Sequence, residues 1–284
     1  MHSRVGRLLS GRLAPFAAGL LLFGISAGPN LAVAAAGSET ASAKTWIGHE
    51  AELERFLRTV EPVGLAPIGT GVTNPFRAEL APGGPMPAFA WKPIRPGFYG
   101  GHYESYRTEI AAYELDKHLE LGMVPVTVER RVDKVLGAAC MWVTPTQSFR
   151  ELGGPPKPPA DQKERWNIQL IRAKMFDNLI GNRDPNLGNW LVDPAWNILL
   201  IDHSRSFGGG KALVHEFERV DADLWRRMRG MTEESLGGAL GHWLRPKPIR
   251  AILKRRDRMA EIIDELIAAN GEDAVLLWYE EPIR

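Results

Sequence analysis

Three polar side chains in the second half of the chain, Asp184, Asn189 and Asp202, have the types and spacing to act together. Asn189 to Val192 and Asn197 to Ile201 are short apolar runs joined by the turn formers Asp193 and Pro194, so they are expected to pair as a hairpin. With the turn centred near Ala195, residues whose numbers sum to about 391 face each other, a condition that Asn189 and Asp202 meet. Two oxygen donors side by side at the open end of a hairpin suit a hard cation such as magnesium. Asp184 lies five residues before Asn189, in a loop from which it reaches the same place without taking the same ligand position. A carboxylate that takes or orients the proton of an attacking hydroxyl, beside two donors that hold metal on nucleotide phosphates, is what phosphoryl transfer requires. A lone Asp or Asn is ordinarily a turn former or helix cap, but three at related spacing, flanked by runs that bury easily, ask for more than that.

Such chemistry also needs a lysine on a strand and a glutamate on a helix. Lys92 ends the apolar run Ala88-Phe89-Ala90-Trp91 and is the only lysine between Lys44 and Lys117, in a chain with 25 arginines and 10 lysines. A compact ammonium approaches phosphate as a point charge, which accounts for a lysine at that place. Glu109 shares a helical stripe with Tyr106, Ala112 and Tyr113, and a carboxylate on an apolar stripe needs a cation, for which Lys92 is the candidate. Gly69-Thr70-Gly71 can bring backbone amides to phosphate, although an ordinary turn explains Gly69 and Gly71 equally well.

The elements that must position these groups fall into two parts. From Trp46 to about Val143 the sequence reads as short strands (Leu65 to Ile68, Arg77 to Leu80, Ala88 to Lys92, Val126 to Val132, Val135 to Val143) with one helix, Tyr106 to Leu119. A proline-rich connection over 144–163 follows, then a mostly helical part over 164–284, with amphipathic helices from Trp166 to Ile180 and from about Pro248 to Ala269. The expected fold class is α+β, with a strand-rich lobe over 46–143 and a helical lobe carrying the loops. Cys140 reads as a small core residue, His203 as an ordinary loop residue, and Arg226-Arg227 and Lys254-Arg255-Arg256 as solvated helix faces.

Ahead of these parts, Arg4, Arg7 and Arg12 precede an apolar stretch from Leu13 to Ala27, and Ala32-Val33-Ala34 has the pattern of a signal-peptidase site. Residues 1–34 are therefore expected to be an export signal and 35–45 a flexible lead-in; an uncleaved anchor is the weaker reading, because the apolar run is shorter than the ~20 residues that span a bilayer. Cleavage takes away three arginines and no acid, turning the net charge of +1 into −2. That balance offers no field for nucleic acid, and one cysteine permits neither an internal disulfide nor a cysteine-based zinc site.

The block Phe176-Asp-Asn-Leu-Ile-Gly-Asn-Arg-Asp-Pro-Asn-Leu-Gly-Asn, with Leu200-Ile-Asp-His-Ser-Arg-Ser-Phe, resembles the catalytic and metal-binding loops of the atypical kinase superfamily. That group includes the phosphoinositide lipid kinases, the HipA-type toxin kinases and the secretory-pathway kinases of the four-jointed and Golgi casein kinase type. The similarity extends to Trp91-Lys92-Pro93, to Glu109-Ile-Ala-Ala-Tyr-Glu-Leu and to the hairpin ending at Met141-Trp142-Val143. The resemblance implies a two-lobed kinase-like fold with ATP and Mg2+ (or Mn2+) in the cleft. It implies Asp184 as catalytic base, Asn189 and Asp202 as metal ligands, Lys92 on the phosphates with Glu109 as its partner, and Met141 and Val143 beside adenine. Its members act on protein, sugar or lipid hydroxyls, and nothing in the sequence selects among them. The chain departs from many members at Pro185-Asn186, where they have Arg-His, which removes a positive or proton-sharing group beside the base. Export, which takes a protein away from most ATP, sets a second reading beside the enzyme, a catalytically silent nucleotide-binding scaffold. Nucleotidyl transfer by the same residues is a third.

Overall fold

The computed structural model describes residues 42–69 and 75–279. The expected export signal, most of the lead-in and Gly71 lie outside the described residues.

The first part is built on one antiparallel sheet. Helix α1 (Glu50–Thr59) leads into β1 (Gly64–Pro67), β2 (Phe76–Glu79) and β3 (Ala88–Lys92). A short hairpin of β4 (Gly97–Tyr99) and β5 (His102–Glu104), helix α2 (Tyr106–His118), β6 (Thr127–Val132) and β7 (Val135–Met141) follow. The five-stranded sheet has the order β1-β2-β3-β7-β6. Strand β3 is central and covered on both faces, so its continuous apolar run buries Phe89 and Trp91. Lys92 faces Ala138 across the β3–β7 ladder. Gly137 is what permits that approach: a Cβ there would stand 2.7 Å from the Lys92 carbonyl oxygen and 2.9 Å from the Pro93 Cα. Helix α2 starts at Ser105, whose hydroxyl accepts from the Arg107 amide, and buries most of its circumference, including Ile110, Ala112, Tyr113 and Leu115.

The second part is mainly helical. After β8 (Gln147–Ser148) come α3 (Lys163–Ile180), β9 (Trp190–Val192), β10 (Ile198–Leu200), β11 (Val220–Asp221), α4 (Ala222–Arg229), α5 (Glu233–Leu240), α6 (Pro246–Asn270), α7 (Glu272–Val275) and β12 (Leu276–Leu277). Helices α3 and α6 pack on each other, and α3 also backs β10. Helix α3 stops at Gly181, whose φ of 60° is the left-handed conformation that glycine adopts without a Cβ penalty.

Several sequence expectations need correction. The β9–β10 hairpin is one residue tighter than expected: Val192 faces Ile198 and Trp190 faces Leu200. The turn closes between Asp193 and Asn197, with the Asn197 amide donating to Asp193 Oδ1 at 2.7 Å and Trp196 in the left-handed region at φ 60°. Asn189 therefore pairs with Ile201, whose amide donates to the Asn189 carbonyl at 3.0 Å, and Asp202 is the next residue rather than the one opposite. Helix α1 and the β4–β5 hairpin add to the single helix and five strands expected of the first part. Arg255 is not on a solvated face: it is 1% exposed, and its guanidinium donates to the carbonyls of Leu179, Gly208 and Gly210.

Candidate active site

Three segments distant in sequence meet at Lys92. Its Nζ lies 2.8 Å from Glu109 Oε1 on α2 and 2.9 Å from Asp202 Oδ1 just beyond β10. Burial disfavours charge on Lys92, but Asp202 and Glu109 outweigh it and hold the ammonium pKa above its ordinary value. Of the two carboxylates sharing that ammonium, Glu109 is pushed up by burial against the pull of Lys92, while Asp202 is held down because Lys92 overcomes its burial. The second oxygen of Glu109 accepts from the His203 amide at 3.0 Å, so α2 grips the backbone directly after Asp202. Asp202 itself has a φ of 62°, a conformation that turns the chain out of the β10 ladder.

Asp184 stands in the loop after α3. Its amide donates to Asn182 Oδ1 at 3.0 Å, and Asn182 is anchored in turn by donating to Asp177 Oδ1 at 2.9 Å. The Asn186 side-chain amide donates to Asp184 Oδ1 at 2.9 Å, and Arg205 Nη1 lies 3.6 Å from Asp184 Oδ2. Asn189 is buried and donates its Nδ2 to the Asp184 carbonyl at 3.1 Å. That bond uses the amide nitrogen as donor and leaves Oδ1 as the acceptor of the side chain. One amide oxygen and one carboxylate form a hard donor set that fits magnesium or manganese, ions that keep several waters and take phosphate oxygens. Among the described residues no group of three or more His, Cys, Asp or Glu could hold a metal ion.

The remaining expected site residues sit as follows. Gly69 has a left-handed φ of 70°, two residues after β1, while Gly71 is outside the described residues. Met141 closes β7 opposite Phe89, and Val143 follows two residues on; both are buried. His203 is fully enclosed, with its ring edge-on to Phe176, and burial pushes its pKa down to about 4. Burial likewise pushes the Cys140 thiol up to about 12, as suits a packed side chain rather than a nucleophile.

Sequence reasoning missed the frame around these groups. Asn178 Oδ1 accepts from the amides of Val214 and His215, both at 2.7 Å, and Arg255 ties the glycine-rich turn 208–210 to the end of α3. Glu104 at the end of β5 is 1% exposed and holds Arg205 at 2.8 Å. The signal available for that pair was an acid closing an otherwise aromatic hairpin, but its partner is 101 residues away.

No family model matches the chain, and no curated protein matches it. Solved structures do. A hydra Fam20 structure with sugar aligns at a TM-score of 0.66 and 15% identity, over 85% of this chain and 97% of that one. The Golgi casein kinase with Mn/ADP bound aligns at 0.60 and 14% identity, over 81% of this chain and 79% of that one. At such identities the likeness speaks for architecture alone: the chain has a kinase-like α+β fold, a strand-rich antiparallel part followed by a helical one.

Proposed function

We propose that this kinase-fold protein is an active phosphotransferase that moves the γ-phosphoryl group of ATP to a hydroxyl acceptor. The observation that carries the reading is the Lys92 ammonium held between Glu109 at 2.8 Å and Asp202 at 2.9 Å, while Asn189 is bonded to Ile201 beside Asp202 and to the Asp184 carbonyl. In this reading Asp184 accepts the proton of the attacking hydroxyl, a new bond forms between that oxygen and the γ-phosphorus, and the bond to the β-phosphate oxygen breaks to release ADP. Lys92 sits on the phosphates, and Glu109 keeps it pointed there. Asn189 and Asp202 hold the metal, which supplies charge neutralisation on the phosphates when bound. Gly69 and Gly71 offer backbone amides, and Met141 and Val143 border adenine. The Golgi casein kinase with Mn/ADP supports nucleotide with Mg2+ or Mn2+, and the hydra Fam20 structure with sugar makes sugar hydroxyls the first acceptors to try, ahead of protein and lipid.

We also read the protein as exported through residues 1–34, to periplasm or exterior; no helix among the described residues is long and apolar enough to cross a membrane. Fractionation with N-terminal sequencing of the mature chain tests this, and a start near Ala35 is expected.

The activity test incubates purified protein with Mg2+ or Mn2+ and ATP labelled on the γ-phosphate, beside an Asp184→Ala control. Transfer of label by the wild type alone is the expected result. Retained ATP binding without transfer would establish the silent scaffold instead, and transfer of an α-phosphate label would establish nucleotidyl transfer.

A further inference from the structure

Arg205, three residues after Asp202, reaches across to two carboxylates. Its Nε and Nη2 both lie 2.8 Å from Glu104 Oε1, and its Nη1 lies 3.6 Å from Asp184 Oδ2. Glu104 ends the β4–β5 hairpin, is almost fully buried, and leaves its Oε2 without a hydrogen-bond partner among the described residues, so the pairing with Arg205 is what makes a carboxylate tolerable there. Around it the same two segments are stitched by backbone: the Ser105 amide donates to the Ser204 carbonyl at 3.2 Å, and the Thr108 hydroxyl donates to that carbonyl at 2.9 Å. The guanidinium is planar and forked, and one side of the fork is fixed by Glu104, so the other side has a defined direction towards Asp184. Asn186 holds Oδ1 of Asp184 while Arg205 faces Oδ2, so both oxygens of the carboxylate are restrained.

We propose that Arg205 is a positioning residue: by bridging the buried Glu104 to Asp184, it sets the orientation of Asp184 relative to the strand-rich part. This rests on the reading of Asp184 as the base of phosphoryl transfer. A misplaced catalytic group loses turnover while ground-state nucleotide binding is spared.

The test compares wild type, Arg205→Gln, Arg205→Lys and the double variant Glu104→Gln/Arg205→Gln, which leaves no carboxylate buried alone. Two readouts are taken on the full protein: amide hydrogen exchange over residues 97–109 without ligand, and steady-state phosphate transfer from ATP. Arg205→Gln is expected to speed exchange in that segment by about tenfold or more. It is expected to lower kcat by about a hundredfold with the KM for ATP within about twofold. Arg205→Lys should recover part of kcat, and the double variant should fold yet stay slow. An active wild type whose Arg205→Gln variant keeps its kcat or its exchange pattern overturns the role of Arg205 alone. A slow double variant whose KM for ATP rises in step with the loss of kcat overturns it too, since damage would then be general. A wild type that transfers no phosphate, with the exchange difference intact, overturns the proposed function and leaves the bridge as a purely structural clasp.

Discussion

Lys92 is the residue on which the site's electrostatics turn, because two carboxylates from different segments depend on one ammonium. Removing it leaves Glu109 and Asp202 close together with no cation between them. Lys92→Met is therefore expected to lower unfolding free energy by about 3–5 kcal/mol as well as activity, which urea denaturation will read. Asp184 is the opposite case, since its side chain is 35% exposed and its partners are few. Asp184→Asn should change stability by less than about 1 kcal/mol. It should cut phosphate transfer by about 10²–10⁴-fold. A large loss of stability in that variant would show that Asp184 is structural. The pairing of Lys92 with Glu109 was legible from sequence because each is the wrong type for its surroundings, a lysine in an arginine-rich chain and an acid on an apolar helical stripe. Arg205 was not, because nothing local marks it and its meaning comes from a hairpin 101 residues away.

At the scale of elements, period-two runs and helical stripes revealed β1 to β3, β6, β7, α2, α3 and α6, while short or capped pieces escaped. Helix α1 has only Leu53 and Leu57 buried, and β4 and β5 are three residues each, too short for a period to register. The turn centres on Ala195 as expected, so facing residues sum to 390 and Asn189 meets Ile201 rather than Asp202; Asp193 closes that turn with its own side chain. Residues 42–45, the end of the expected flexible lead-in, are docked instead: the Ala43 amide donates to Asp193 Oδ2 at 2.8 Å, and Lys44 is buried, as is Trp46 beside it. The Lys44 Nζ has no hydrogen-bond partner among the described residues, and burial drops its pKa from 10.5 to about 8. Below pH 8 the folded and unfolded chains both carry this proton and the fold bears the full cost; between 8 and 10.5 the folded chain sheds it first, so stability rises with pH and then levels off. Lys44→Met should accordingly raise the Tm at pH 7, by up to about 3 kcal/mol of stability, with the gain fading as pH approaches 10.5. A gain that stays constant across that range would refute the assignment.

For the whole molecule, a ligand that binds only the folded chain adds stability by mass action. ATP or ADP with Mg2+ at about a hundred times Kd should add about 2.7 kcal/mol, a rise in Tm of about 5–10 °C for a chain of this size. Chelating the metal, or changing Asp202→Asn, should remove most of that shift in a scanning calorimeter. The stitching between residues 104–109 and 202–205 has one more consequence. The covalent path from β7 to α3 includes the largely exposed loop 151–159, whereas the links between residues 92–109 and 202–205 run through Lys92, Glu104, Glu109 and Thr108, all buried. Continuity of the polypeptide is thus not what keeps the parts joined. With a protease site inserted between Gly154 and Pro155, the severed pieces should still elute together as a heterodimer of fragments and separate only in denaturant.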